Sequence, residues 1–201
     1  MPLLTRRRFL GASIASVAGA YSYARWIEPA WIHVTHVELK LRELPDAFAG
    51  LTIAQISDLH FGPLTPLAII ERAVAEVMAM DADLIVITGD HVSRVDHGEI
   101  DMLMQSLSSL RARDGVHAIL GNHDWWENAS AVVQAYRRIG ISVLQNQHCT
   151  ITRNGQSLYL AGVDDVWCDK NDLSKTLCGI PARASIIALV HEPDYADVVA
   201  W

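Results

Sequence analysis

The sequence has little cysteine and no excess of positive charge. Its 201 residues hold three cysteines, Cys149, Cys168 and Cys178, at irregular spacing. With no C-x-x-C pair a zinc knuckle is not signalled; unpaired, partly buried thiols are expected, the alternative outside the cytoplasm being one disulfide with one leftover thiol. The formal charge is −7, and residues 1–20 carry three arginines and no acid, so the remainder stands at −10. Sequence-independent nucleic-acid binding relies on basic patches, so bulk binding of that kind is excluded as an expectation. No internal repeat and no low-complexity stretch occurs. What is abundant is apolar residues, 51% of the chain, enough for one domain with a sizeable core.

Apolar runs at 51–56, 84–88, 116–120 and 185–190 read as buried strands, and shorter runs at 142–144, 149–152 and 157–161 as further strands. Asn154-Gly155 signals a hairpin between the last two. Residues 31–41 alternate late and predict a half-exposed strand. Helical spacing predicts helices over 67–80, with Pro66 at its start, over 99–111 and over 129–139, and a further helix begins in 195–201. Helices alternate with strands first and strands cluster later, which predicts an α/β fold.

Three of the strands are followed by polar signatures: Asp58-Leu59-His60, Gly89-Asp90 and Gly121-Asn122-His123-Asp124. His191 follows a fourth. Chemistry in parallel sheets gathers at the carboxyl ends of strands. Carboxylates, imidazoles and an amide at one sheet edge suit a pair of divalent metals. Asp58 and His60, two apart in an extended segment, are expected to point the same way. Asp90 has two oxygens with which to bridge two ions, and Asn122 adds a neutral oxygen. His123 is left to protonate a leaving group, oriented by Asp124.

The ordered set D-x-H, G-D, G-N-H-[DE] and a later His resembles the calcineurin-like metallophosphoesterase family over roughly residues 36–201. The stretch from Gly50 to His60 is similar to the opening of its exported, membrane-associated bacterial phosphodiesterases. The resemblance implies a metallophosphoesterase-type β-sandwich flanked by helices. It implies two divalent ions (manganese, iron or zinc), one held by Asp58, His60 and Asp90, the other by Asp90, Asn122 and His191. It implies hydrolysis of a phosphodiester, pyrophosphate or phosphomonoester by a hydroxide that the two metals activate, with a lipid- or nucleotide-linked substrate favoured. No histidine follows His191, so the family's final G-H-x-H does not occur, and the domain, 31–201, is expected to be truncated and incomplete at its C-terminus. The alternative is an inactive exported remnant or a single-metal module.

Thr5-Arg6-Arg7-Arg8-Phe9-Leu10 resembles a twin-arginine export motif, with a small and apolar run to residue 20 and small-x-small sites at 18–20 and 22–24. Residues 1–24 are therefore expected to be a signal segment, or an N-terminal anchor if 10–27 is retained in a membrane. The twin-arginine machinery is then a partner, and the periplasm or the outer face of the cytoplasmic membrane the location. Among the remaining polar and aromatic residues, His91, His97, His33 and His36 are expected to be solvated, Arg137 and Arg138 to lie on a surface, and Asp164-Asp165 to form a turn. At least one of Trp125 and Trp126 is expected at the site rim.

Overall fold

The computed structural model describes residues 5–28, 31–41, 43–63, 65–93 and 97–199, with the side chain of His97 and residues 200–201 outside that description. The chain divides into two units, 1–39 and 40–201.

In the first unit, helix α1 spans Arg6–Ser22, and the Thr5 hydroxyl accepts the Arg8 N–H at its start. None of its residues is buried. Among the described residues no helix is long and apolar enough to cross a membrane. The expected strand over 31–41 does not form. These residues join neither sheet, and Val37, Leu39 and Leu41 are exposed. Alternation alone does not make a strand, because the ladder needs a hydrogen-bonding neighbour.

The second unit begins with four parallel strands, β1 (Ile53–Ile56), β2 (Leu84–Thr88), β3 (Val116–Ile119) and β4 (Ser142–Val143), in the order β1-β2-β3-β4. Helices α2 (Leu67–Ala79), α3 (His97–Leu107), α4 (Asn122–Glu127) and α5 (Ala129–Arg138) lie in the connections. Strands added in one direction by right-handed crossovers put their helices on one face. The opposite face then needs another cover. It is supplied by a second sheet of β5 (Gln147–Arg153), β6 (Gln156–Gly162) and β7 (Ile186–Leu189), in which β5 and β6 are antiparallel and β6 and β7 parallel. The α/β sandwich expected from the sequence is therefore present.

Strand β2 shows how the two cores are divided. Leu84 and Val86 pack with Ile119, Ile151, Leu158, Leu160 and Leu189 between the sheets. Ile85 and Ile87 pack with Ile70 and Val74 of α2, Leu103 of α3 and Val132 and Tyr136 of α5. Alternate side chains of a strand face opposite ways, and all five residues of β2 are buried, as a central strand covered on both faces requires. Asn154 and Gly155 take φ of 49° and 77°, the left-handed pair of the expected hairpin turn.

Helix α3 ends earlier than its apolar spacing predicts. The Ser108 and Ser109 hydroxyls donate to the carbonyls of Gln105 and Ser106 (2.7 and 3.1 Å), drawing backbone acceptors away from the helical ladder. The end of the described chain turns into helix α7 (Ala196–Val199), after a short α6 (Leu173–Leu177). All three cysteines are unpaired; Cys149 and Cys168 are half-buried and Cys178 is exposed.

Candidate active site

The carboxyl ends of β1, β2 and β3 bring the three polar signatures together, and the loop after β7 adds His191. The route differs from strand alternation. Asp58 and His60 lie beyond the end of β1 with φ of 54° and 41°, and Asp90 has φ of 54°. Non-glycine residues rarely take this left-handed conformation, and it gathers at functional sites. The turn is held by backbone bonds to the next loop: the Asp58, His60 and Phe61 N–H groups donate to the carbonyls of Gly89, Asp90 and His91 (3.1, 2.9 and 3.0 Å). Convergence of Asp58 with His60 therefore comes from a strained loop clipped to its neighbour, not from an extended segment.

Two glycines let the loops close. A Cβ on Gly89, whose φ is +95°, would lie 2.6 Å from His191 Nδ1 and 2.7 Å from the Gly121 nitrogen. A Cβ on Gly121 would lie 2.6 Å from the Asp90 nitrogen and 2.8 Å from His191 Nε2. Any side chain at either position would displace a candidate ligand.

Asp90 stands at the centre. Its Oδ2 lies 3.4 Å from His60 Nε2 and 3.4 Å from His191 Nε2, and Asp58 Oδ1 lies 3.6 Å from His60 Nε2. Two donors at about 2.1 Å from one ion, at a tetrahedral angle, stand about 3.4 Å apart. Within 4.8 Å of one another lie two donor groups, His60–Asp90–His123 and Asp58–Asp90–His191, which share Asp90. The mixed carboxylate and imidazole chemistry and these separations fit divalent cations. The His191 ring is aimed by its other nitrogen, 2.7 Å from the Thr88 carbonyl oxygen, the outer-sphere contact that orients metal-binding imidazoles.

Burial opposes charge on both partners of the Asp90–His191 pair, but their mutual contact outweighs it. Asp90 is held below its ordinary value by His191 and the His123 N–H, and His191 rises to about 9 through Asp90, the Thr88 carbonyl and Asp58. A cation that takes His191 Nε2 therefore displaces a proton.

His123 is half-buried. Its N–H donates to Asp90 Oδ1 at 2.9 Å, while its ring meets the edge of His60 (centroids 4.6 Å apart) and tilts onto Trp126 (4.9 Å). Asp124 does not orient it, contrary to the sequence expectation. Both Asp124 oxygens are committed elsewhere: Oδ2 accepts the N–H of Asp90 (3.1 Å) and of Gly121 (3.0 Å), and Oδ1 that of His91 (3.0 Å). His91 Nδ1 also lies 2.8 Å from Asp124 Oδ2. One buried carboxylate thus ties the Gly89-Asp90 loop to the Gly121-Asn122 loop.

His91 also departs from the sequence expectation. It is not solvated but fully buried, with its ring against Tyr136 of α5 (centroids 4.8 Å). No local sequence signal marks it, since its partner lies 33 residues away. Asn122 is buried at the start of α4. Asp164 and Asp165 are buried too. Asp164 accepts from Trp125 Nε1 (2.8 Å) and Gln145 Nε2 (3.2 Å), and Asp165 Oδ1 accepts the Cys168 N–H (2.7 Å) of the turn that follows. Trp125 is thereby anchored, whereas Trp126 is 60% exposed.

The family model described as calcineurin-like phosphoesterase matches residues 51–198. An uncharacterized metallophosphoesterase of Bacillus subtilis, YkuE, is 31% identical over 98% of this chain and 72% of its own length. Phosphodiesterase YaeI of Escherichia coli is 28% identical over 98% of this chain and 73% of its own length. UDP-2,3-diacylglucosamine pyrophosphatase LpxG of Chlamydia muridarum is 35% identical over 58% of this chain and 35% of its own length. With the family model spanning most of the chain and its motif residues converging at one sheet edge, the protein belongs to the calcineurin-like metallophosphoesterase family.

Proposed function

We propose that this chain hydrolyses a phosphodiester or pyrophosphate with the help of two divalent cations. The observation that carries the reading is the pair of donor groups sharing Asp90. By the family's pattern Asp58, His60 and Asp90 would hold one ion, and Asp90, Asn122 and His191 the other; the observed groups pair the donors differently, with His123 beside His60 and Asp58 beside His191. When bound, such cations supply positive charge against phosphoryl oxygens and acidify an attacking water.

The rest is the work of the chain. Asp90 would be the shared ligand, which its buried carboxylate, facing His60 and His191 together, supports. His123, beside the ligand cluster and packed between the edge of His60 and the tilted ring of Trp126, gives a proton to the departing oxygen. Asp124 acts on position: its bonds to Asp90, His91 and Gly121 keep the bridging carboxylate and the Asn122-His123 pair in register. Positioning of this kind carries much of phosphoryl-transfer catalysis.

The first 24 residues are proposed as a twin-arginine signal or anchor, placing residues 31–201 outside the cytoplasm, near a membrane surface and a lipid- or nucleotide-linked substrate. Lysine at both Arg6 and Arg7 should abolish export of the full chain, read by fractionation. Hydrolysis is tested with bis(p-nitrophenyl) phosphate and the full chain loaded with manganese, zinc or iron, beside Asp90→Ala. Turnover lost in the variant supports the reading, and folded, metal-loaded protein without turnover overturns it.

A further inference from the structure

Two adjacent tryptophans follow the candidate acid, and only one has a structural task. Trp125 is half-buried, donates its indole N–H to Asp164 and carries Lys170 Nζ 5.1 Å above its ring. Trp126 is 60% exposed, and its described ring contact is His123. Helix geometry explains the contact. Asn122, His123 and Trp126 lie at positions i, i+1 and i+4 of α4, so Trp126 stands one turn along the face that carries both site residues. The rings form a row running outward, His60 to His123 to Trp126, with centroids 4.6 and 4.9 Å apart.

We infer that Trp126 is a stacking platform for a flat aromatic group on the leaving side of the substrate, a nucleobase or an aryl ring. The inference rests on the hydrolase reading, because it is the proton from His123 that marks which side leaves. A group whose ester oxygen meets His123 must continue past the ring that His123 leans on. There an indole offers a broad, open π face. A lone flat face suits another flat ring better than a flexible acyl chain, which gains from a groove that surrounds it. Stacking a base on an aromatic side chain strengthens binding, here by roughly tenfold.

The test uses matched esters. Benzyl methyl phosphate and cyclohexylmethyl methyl phosphate have alkoxide leaving groups of similar basicity and size, one flat and one puckered. Adenosine 5′-methyl phosphate adds a nucleobase. With the metal-loaded full chain, Trp126→Leu should raise KM for benzyl methyl phosphate roughly tenfold. It should leave KM for the cyclohexylmethyl ester nearly unchanged, and Trp126→Phe should restore most of the loss. A larger effect on the adenosine ester would assign the platform to nucleobases, and a larger effect on the benzyl ester to simple aryl groups. Equal losses on all three esters, or a loss confined to kcat, would make Trp126 a mere support for His123 and overturn the inference. Calorimetric binding of benzylphosphonate and cyclohexylmethylphosphonate repeats the comparison without turnover. Discrimination kept in a protein that hydrolyses nothing would count against the hydrolase reading alone, and no discrimination against the platform.

Discussion

The two ends of the parallel sheet carry similar acids and use them in opposite ways. At the amino end, Asp83 precedes β2 and Asp114 precedes β3, and Arg153 from the end of β5 reaches both, at 2.8 Å from Asp83 Oδ1 and with two nitrogens on Asp114. Asp83 Oδ2 also accepts the Thr52 N–H and hydroxyl (3.1 and 3.2 Å). Each carboxylate is closed by short bonds to permanent donors. At the carboxyl end Asp58 and Asp90 each accept one short bond, from the Ser57 hydroxyl (2.6 Å) and the His123 N–H (2.9 Å), but their charged partners are titratable imidazoles at 3.4 to 3.6 Å and no permanent cation. A closed set of charges holds structure together. An open set, kept apart in left-handed loops around two close-packed glycines, is arranged for something else to enter. The distinction lies in how charges are balanced, not in how many there are.

Changes at each end should therefore read out differently. The largest expected effect is that of Asp90→Ala, which removes the shared oxygen pair: hydrolysis should fall to background and metal content should drop, while the melting temperature of the metal-free protein stays near that of the parent. A collapse of the metal-free fold would show that Asp90 serves the structure as Arg153 does. Next, His123→Ala should lower kcat by roughly a hundredfold to ten-thousandfold with metal content retained, as assayed by turnover beside elemental analysis. Because His123 also lies within ligand distance of His60 and Asp90, a parallel loss of metal would reassign it as a ligand.

The amino end gives the converse. Arg153→Met strands Asp114, which is 7% exposed, while Asp83 keeps the Thr52 donors, and should cost about 3–5 kcal/mol in urea unfolding. The kcat of the protein that remains folded should be unaltered. The smallest effect is in acid. The Thr52 N–H, with Arg153 in support and burial opposing, holds Asp83 below the usual carboxylate value. Its stabilising share is thus present above the unfolded value of 3.8 and is lost as pH falls through the lower folded value. The melting temperature should fall as pH drops below 3.8, and less steeply in Arg153→Met, where that pairing is already gone. An equal slope in both proteins would remove the Arg153–Asp83 pair from the account.

Much of this was legible in the sequence because it is local. Apolar runs marked the strands, Asn154-Gly155 marked the hairpin, and the signatures after β1, β2 and β3 marked the sheet edge. Contacts distant in sequence were not legible. His91 reads as an ordinary loop histidine, and only the fold brings Asp124 and Tyr136 against it. Asp124 looks like the partner of its neighbour His123, yet two loops compete for its oxygens and take both. Residues 31–41 carry a strand's alternation without a neighbouring strand to pair with. The left-handed backbone of Asp58, His60 and Asp90 left only a faint trace in residue type: none is glycine, and the enrichment of Asp and His in that region does not single out these positions.

The central claim is that the open charges at the carboxyl end are a metal site and the closed ones at the amino end are not. Counting manganese or zinc bound per chain, by calorimetry with elemental analysis, tests it directly in the parent, Asp90→Ala and Arg153→Met. The account predicts two ions in the parent and in Arg153→Met, and loss of binding in Asp90→Ala. No bound ion in the folded parent, or equal binding in the parent and Asp90→Ala, would contradict it.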